Sequence, residues 1–308
     1  MIIKTTGSWH TVLDDNRNEV PCKIKGKLRT HGIRSTNPVA VGDKVKFYRL
    51  EKENTGIIAE ILDRKNYIIR RSSKLSKESH VLAANLDQAF LMVSLVSPRT
   101  TLRFIDRFLA TSEAYRIPAI LIFNKTDIYS SDLLEEMHEL MKMYESIGYE
   151  TIGTSALLKK GTEELKERMK GKISLVAGNS GVGKSSLINA MDPSLNLRTR
   201  PVSAHHSTGK HTTTFSEMFE LSSGGFIIDT PGIKGFGIID MDREEISHFF
   251  PDIFALSGDC QYYNCMHINE PNCAVKKALE ENRLSISRYE SYLSLFFDDK
   301  GKYRTSRY

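Results

Sequence analysis

The 308-residue sequence predicts an α/β protein in three parts: a small N-terminal β-barrel, a central parallel sheet interleaved with helices, and a mostly helical C-terminal part. Three observations predict it. Five short β-rich runs, separated by turn residues, fall within the first 72 residues. From Ala83 to about Asp240, apolar runs of four to seven residues alternate with amphipathic segments, as in sheets covered on both faces. Three of the four cysteines then crowd into residues 260–273 with a histidine among them.

The length suits two or three domains at roughly 150 residues each. With 40% hydrophobic and 26% charged residues the chain can bury a core, which excludes disordered and fibrous classes. No stretch approaches the roughly 18 apolar residues of a membrane span, and the start, Met1 to Gly7, lacks a basic region followed by an apolar block. The expectation is a cytoplasmic protein with no membrane contact. Four cysteines are too few for a disulfide scaffold, and with no heptad or large apolar patch the chain is read as a monomer.

The N-terminal strands are read as Trp9–Leu13, Val20–Arg29, Lys44–Tyr48, Gly56–Ile61 and Tyr67–Arg70, with Val41-Gly42-Asp43 among the turns. Several short strands in such a length suit an OB-type barrel over residues 1–72. The alternation of Cys22, Ile24, Gly26 and Leu28 with Lys23, Lys25, Lys27 and Arg29 puts four cations on one strand face. Residues 1–72 hold 15 Lys plus Arg against 8 Asp plus Glu, so the chain's net +5 resides at this end. That charge fits a polyanionic partner, the alternative being a solvated basic face.

The central strands are read as Ala89–Leu95, Ala119–Phe123, Ile173–Ala177 and Gly225–Ile228, with helices over Leu102–Tyr115 and Ser131–Ile147. Gly178-Asn179-Ser180-Gly181-Val182-Gly183-Lys184-Ser185 follows one of these strands and precedes the helix opened by Ser186, the context a phosphate-binding loop requires. Its glycines let backbone N–H groups surround phosphates, Lys184 reaches the outer phosphates, and the Ser185 hydroxyl can ligate Mg²⁺.

The base is read from Asn124-Lys125-Thr126-Asp127, which follows the strand Ala119–Phe123. A carboxylate at Asp127 accepts from the ring N–H and amine of guanine, whereas adenine offers no matching pair of donors. Thr154-Ser155-Ala156 supplies a small-residue turn whose backbone can approach the guanine carbonyl. Asp229-Thr230-Pro231-Gly232 ends the strand Gly225–Ile228, so that Asp229 can hold Mg²⁺ through water and the Gly232 N–H can meet a γ-phosphate. In the loop Gly209-Lys210-His211-Thr212-Thr213-Thr214 a threonine, taken as Thr213, completes the metal shell when γ-phosphate is present.

Cys260, Cys265, His267 and Cys273 form a C-x4-C-x-H-x5-C set in a short polar, turn-rich segment. Three thiolates and one imidazole make a closed tetrahedral Zn²⁺ site, one per chain, with no open position for substrate. Cys22, on a strand, is read as a small apolar residue.

The whole set resembles a translational-class GTPase in permuted order: base motif first, then phosphate loop, then switch elements. With a basic barrel before it and a Cys/His cluster behind it, the chain is similar to the ribosome small-subunit-dependent GTPases of the RsgA family, also known as YjeQ or YloQ. The resemblance covers nearly the whole chain. It implies an OB-type barrel (1–72), a circularly permuted P-loop GTPase domain (80–239) and a helical zinc-binding domain (240–308). It implies hydrolysis of GTP to GDP with Mg²⁺, in late maturation of the small ribosomal subunit, with rRNA as the bound surface. The alternative is an RNA-binding assembly factor that uses GTP only as an occupancy switch. Many GTPases carry Gln directly after Asp-x-x-Gly, and this chain has Ile233 there. The family has a histidine at the place of His211, which makes His211 the candidate that orients water, beside Lys184; the other reading is an exposed loop histidine. His205 and His206 are weaker candidates. The segment Ile233 to Gly237 is expected to pass switch movement to the C-terminal domain.

Overall fold

The computed structural model describes residues 1–26, 38–50, 53–71, 79–198, 217–229 and 242–298. Strands β1 (Ile2–Thr6), β2 (Trp9–Leu13), β3 (Glu19–Ile24), β4 (Val45–Leu50) and β5 (Thr55–Ile61) pair in the order β1-β2-β3-β5-β4. The β3–β5 pair is parallel and its neighbours are antiparallel, a five-stranded order of the Greek-key kind expected of an OB-type barrel. Two backbone bonds tie the start of β1 to the turn before β4: Ile2 N–H to Asp43 O and Gly42 N–H to Ile2 O, both 2.8 Å. Alternate residues Ile2, Val12, Val20, Cys22 and Ile58 fill the interior. Burial pushes the Cys22 thiol up to about 11, as suits a residue that serves as an apolar one.

Two expectations are corrected here. The strand read as running to Arg29 ends at Ile24, and Gly26 beyond it takes φ +56°. Lys23 stays exposed on the strand and Lys25 is exposed just past its end, while Lys27 and Arg29 lie outside the described residues. Tyr67–Arg70 is not a barrel strand: β6 (Tyr67–Arg71) pairs with β7 (Ser79–Ala84) in a hairpin of its own. The reason is packing, since Ile68 is buried with Leu86, Ala89 and Leu91 of the central core instead of with the barrel residues.

Strands β8 (Gln88–Val93), β9 (Ala119–Phe123), β10 (Glu150–Gly153), β11 (Ile173–Gly178), β12 (Glu217–Glu220) and β13 (Phe226–Asp229) form the central sheet in the order β10-β9-β8-β11-β13-β12. All its pairs are parallel except β12 with β13. Helices α1 (Leu102–Ala114) and α2 (Ser131–Ile147) cover one face, α3 (Thr162–Met169) and α4 (Lys184–Met191) the other. Successive strand residues point to opposite faces. Leu91, Val93, Leu121 and Phe123 therefore meet Ile105, Phe108 and Met137, whereas Phe90, Met92, Ile120 and Ile122 meet Leu165, Leu187 and Ile188. Thr101 and Ser130 cap α1 and α2 by accepting from the N–H of Phe104 and Leu133, each worth about 1 kcal/mol.

From β8 the chain steps outward through β9 to β10, and from β11 it steps the other way to β13 and β12. The adjacent pair β8 and β11 is therefore the point where strand order reverses, and the crevice beyond their carboxyl ends is where such sheets bind ligands. At the far side β12 pairs with β1, Lys4 facing Glu217 with its ammonium 2.7 Å from the carboxylate, so barrel and central sheet run on as eleven strands.

In the C-terminal part lie α5 (Pro251–Ser257), α6 (Ala274–Glu280) and α7 (Ile286–Phe296). Helices α6 and α7 are kept apart by a turn in which Asn282 takes φ +56° and the N–H groups of Arg283 and Leu284 turn back to the Ala278 carbonyl at 2.8 and 3.3 Å. The core of this part, with Phe250, Ile253, Tyr292 and Phe296, rests on Ala110 of α1. Among the described residues, no helix is long and apolar enough to cross a membrane.

Candidate nucleotide site and metal centre

The loop after β11 begins at the reversal point. Gly178, Gly181 and Gly183 have φ of 145°, 82° and 102°, so its backbone turns through conformations that residues with a Cβ rarely adopt. Gly183 is the N-cap of α4 and offers no side chain to the helix's first N–H groups, which leaves them for an anion. The Lys184 ammonium donates to Gly178 O at 2.8 Å and Asn179 O at 3.0 Å, folded over the loop it would serve. Ser185 and Ser186 stand in the helix's first turn, and Val182 is buried in the sheet's second core.

The base motif is bound to this loop directly. Asn124 follows β9, and its Nδ2 donates to Val182 O at 3.0 Å while its Oδ1 accepts from Thr154 Oγ1 at 3.0 Å. A Cβ on Gly183 would sit 2.5 Å from that same Nδ2, so the glycine there is required by the base motif as well as by its φ. Lys125 adopts the left-handed conformation (φ 70°) and its ammonium donates to Ser97 O at 2.7 Å. Thr126 donates through its N–H and its hydroxyl to Thr154 O, both at 3.1 Å. The Asp127 carboxylate accepts from Ser155 Oγ at 2.5 Å, which leaves its second oxygen for a ligand. In the 154–156 turn, the N–H groups of Thr154 and Ser155 are bonded to Phe123 O and Lys160 O, and that of Ala156 has no partner among the described residues. All three small residues are thereby accounted for.

The third group is only partly in view. Asp229 is the last residue of β13, two strands' width from β8 across β11. His205, His206, His211, Thr213, Gly232, Ile233 and the switch segments lie outside the described residues. Sequence reasoning missed Tyr129, whose hydroxyl touches the backbone of both strands bordering the base site. The only signal for it was an aromatic residue two places after Asp127.

Cys260, Cys265, His267 and Cys273 come together with all four ligand atoms within 4.8 Å of one another. His267 Nδ1 is 3.6 Å from Cys260 Sγ and 3.5 Å from Cys273 Sγ, and the two sulfurs are 4.0 Å apart. A tetrahedral zinc with sulfur at about 2.3 Å and nitrogen at about 2.0 Å sets S···N near ~3.6 Å and S···S near ~3.8 Å, so the donors fit. Burial pushes the Cys265 thiol up to about 12 and raises that of Cys273, the state a dication reverses by holding thiolates. The loop is knit by Glu270, which accepts from the N–H groups of Met266, Ile268 and Asn269 at 2.8–3.0 Å. Tyr289 and Tyr292 of α7 donate to the carbonyls of His267 and Met266, both at 2.7 Å.

A phosphate loop at the reversal of a parallel sheet, fed by base-motif strands that precede it in the chain, defines a P-loop GTPase domain in circularly permuted order. Residues 61–239 match the model of the RsgA GTPase family and residues 1–58 that of the RsgA N-terminal domain. The chain belongs to the RsgA GTPase family. It is 56% identical over 307 residues to the small ribosomal subunit biogenesis GTPase RsgA of Bacteroides fragilis strain YCH46, covering 99% of both chains. The Christiangramia forsetii protein of that name is 52% identical, covering 100% of this chain and 98% of its own. Among solved structures, YjeQ from Thermotoga maritima superposes with a TM-score of 0.79 at 34% identity, covering 98% of each chain. YloQ, a circularly permuted GTPase, superposes with a TM-score of 0.71 at 30% identity, covering 100% of this chain and 96% of that one.

Proposed function

We propose that this GTPase holds guanine nucleotide across the ends of β9 and β11, hydrolyses GTP to GDP and phosphate, and couples that reaction to its release from the small ribosomal subunit late in maturation. One observation carries the nucleotide site. The Asn124 side chain bonds both the phosphate loop, at Val182, and the 154–156 turn, at Thr154, so three segments far apart in sequence share one residue at the reversal point.

In this reading Asp127, oriented by Ser155, accepts from the guanine N–H and amine, and the Ala156 N–H donates to the guanine carbonyl. Residues Gly178 to Ser186 cradle the phosphates, and Lys184 leaves its loop carbonyls to reach the outer ones. Ser185, Thr213 and Asp229 are the residues for Mg²⁺, which when bound neutralises charge on the β- and γ-phosphates. Gly232 meets the γ-phosphate, and His211 orients the attacking water in place of the usual Gln. The Cys₃His set holds one structural zinc that fixes the loop beneath α7.

The names of the relatives support the small subunit as partner, and the basic barrel supports rRNA as the surface bound; the protein is taken to act in the cytoplasm as a monomer. The proposed division is 1–72, 80–239 and 240–308, with β6 (Tyr67–Arg71) packed on the central part, where Ile68 is buried. Ile233, where many GTPases carry Gln, favours slow intrinsic turnover and so sustains a second reading, an assembly factor that uses GTP occupancy alone. Phosphate release measured with and without small subunits tests the proposal. Strong stimulation by subunits is expected, and equal slow rates would favour the occupancy switch.

A further inference from the structure

The last rung of the β8–β9 ladder is the Asn124 N–H to Val93 O bond, 2.9 Å. Beyond it the strands part to form the crevice, and the Leu95 N–H and Asn124 C=O, both on buried residues, lose any partner on the neighbouring strand. The Tyr129 hydroxyl fills that gap. It accepts from the Leu95 N–H at 2.9 Å and donates to the Asn124 carbonyl at 2.8 Å, which adds one further rung made by a side chain. Its ring is buried in the central core with Leu95, Phe123 and Met137, so the oxygen has little freedom to move.

The base motif depends on that rung. Asn124 aims its amide at Val182 and Thr154, Lys125 turns left-handed, and Asp127, three residues on, meets Ser155. We propose that Tyr129 is a positioning residue for guanine selectivity: its hydroxyl fixes the backbone at Asn124 and through it the direction of the Asp127 carboxylate. The inference rests on the reading of residues 124–127 as the base site. The Tyr129 hydroxyl bonds backbone groups of Leu95 and Asn124, so it acts through the motif, and discrimination between bases is where its influence is read.

Inosine lacks the exocyclic amine that Asp127 would accept, so the ratio of GDP to IDP affinity reads the carboxylate's direction. Calorimetric titration of both nucleotides into the full-length wild type and into Tyr129→Phe, Tyr144→Phe and Asp127→Ala tests the inference. Tyr144→Phe is the control for general loosening, since it deletes a buried hydroxyl bonded to Asp106 in the same domain, away from the base site. The expected result is a preference for GDP in the wild type and in Tyr144→Phe, its loss in Asp127→Ala, and a roughly tenfold drop in the ratio in Tyr129→Phe. A wild-type ratio in Tyr129→Phe, or an equal drop in Tyr144→Phe, would overturn the role of Tyr129 alone. No preference in the wild type, or full preference in Asp127→Ala, would overturn the base-site reading and this inference with it.

Discussion

Arg288 of α7 and Asp106 of α1 form a fully buried ion pair, with Nη1 2.7 Å from Oδ1. The other edge of the guanidinium grips Asp252 of α5 at 2.8 and 2.9 Å, and the Tyr144 hydroxyl donates to the same Asp106 oxygen at 3.0 Å. The C-terminal part is thus fastened to the helix that leaves β8, the strand on one side of the nucleotide crevice. Burial raises the Asp106 carboxyl and Arg288 opposes that, so the pair depends on both members.

Arg288→Met leaves the Asp106 carboxylate buried without its cation. A loss of about 3–5 kcal/mol is expected in urea unfolding of the C-terminal part. A loss below about 1 kcal/mol would mean that water or another cation reaches Asp106.

His10, inside the barrel opposite Cys22, has both ring nitrogens buried and without a hydrogen-bond partner among the described residues. Burial lowers its pKa, Asp43 opposing, below the ordinary value of about 6.5. The neutral ring's contribution is therefore fully present above that value and is lost as pH falls below it. Between about pH 7 and pH 5 the stability of the wild-type barrel should fall more steeply than that of His10→Met. Parallel pH profiles would contradict this account.

Elemental analysis should find one zinc per chain. Chelation is expected to speed amide exchange over residues 258–273 while bound GDP is retained, because the cluster and the nucleotide loop share no ligand. Metal near zero in folded, active protein would remove the site.

Much of this was legible in local pattern. The run Ala119–Phe123 is buried on both faces, and the Ser131–Ile147 helix matches its amphipathic period, so both appear where periodicity puts them. The phosphate loop and Asn124–Asp127 were legible because their chemistry demands fixed residue types at fixed spacing. β10 and β12, four residues each with mixed polarity, sit at the edges of the central fold and carry no such signal. The union of β1 with β12 was also out of reach, since Lys4 and Glu217 meet only in three dimensions. Tyr129 acts through backbone groups of other residues, which no spacing rule records. Val20–Arg29 misled because alternation continued beyond the point where Gly26 turns the chain.

Lys184→Ala and Ser185→Ala should abolish turnover, the second through loss of the metal hydroxyl ligand. His211→Ala should lower kcat more than it weakens GTP affinity, as expected of a group that acts mainly in the transition state. An unchanged subunit-stimulated kcat in that variant would return His211 to an ordinary loop histidine.

The central claim is that Asp127 and the phosphate loop hold one guanine nucleotide whose hydrolysis responds to the small ribosomal subunit. Phosphate release from GTP and from xanthosine triphosphate, by wild type and Asp127→Asn with and without subunits, tests it in one measurement. Xanthine carries a carbonyl where guanine carries its amine, so the amide of Asp127→Asn suits xanthine as the carboxylate suits guanine. Subunit-stimulated release is expected from GTP by the wild type and from xanthosine triphosphate by the variant. Undiminished GTP turnover in Asp127→Asn, or wild-type turnover indifferent to subunits, would contradict it.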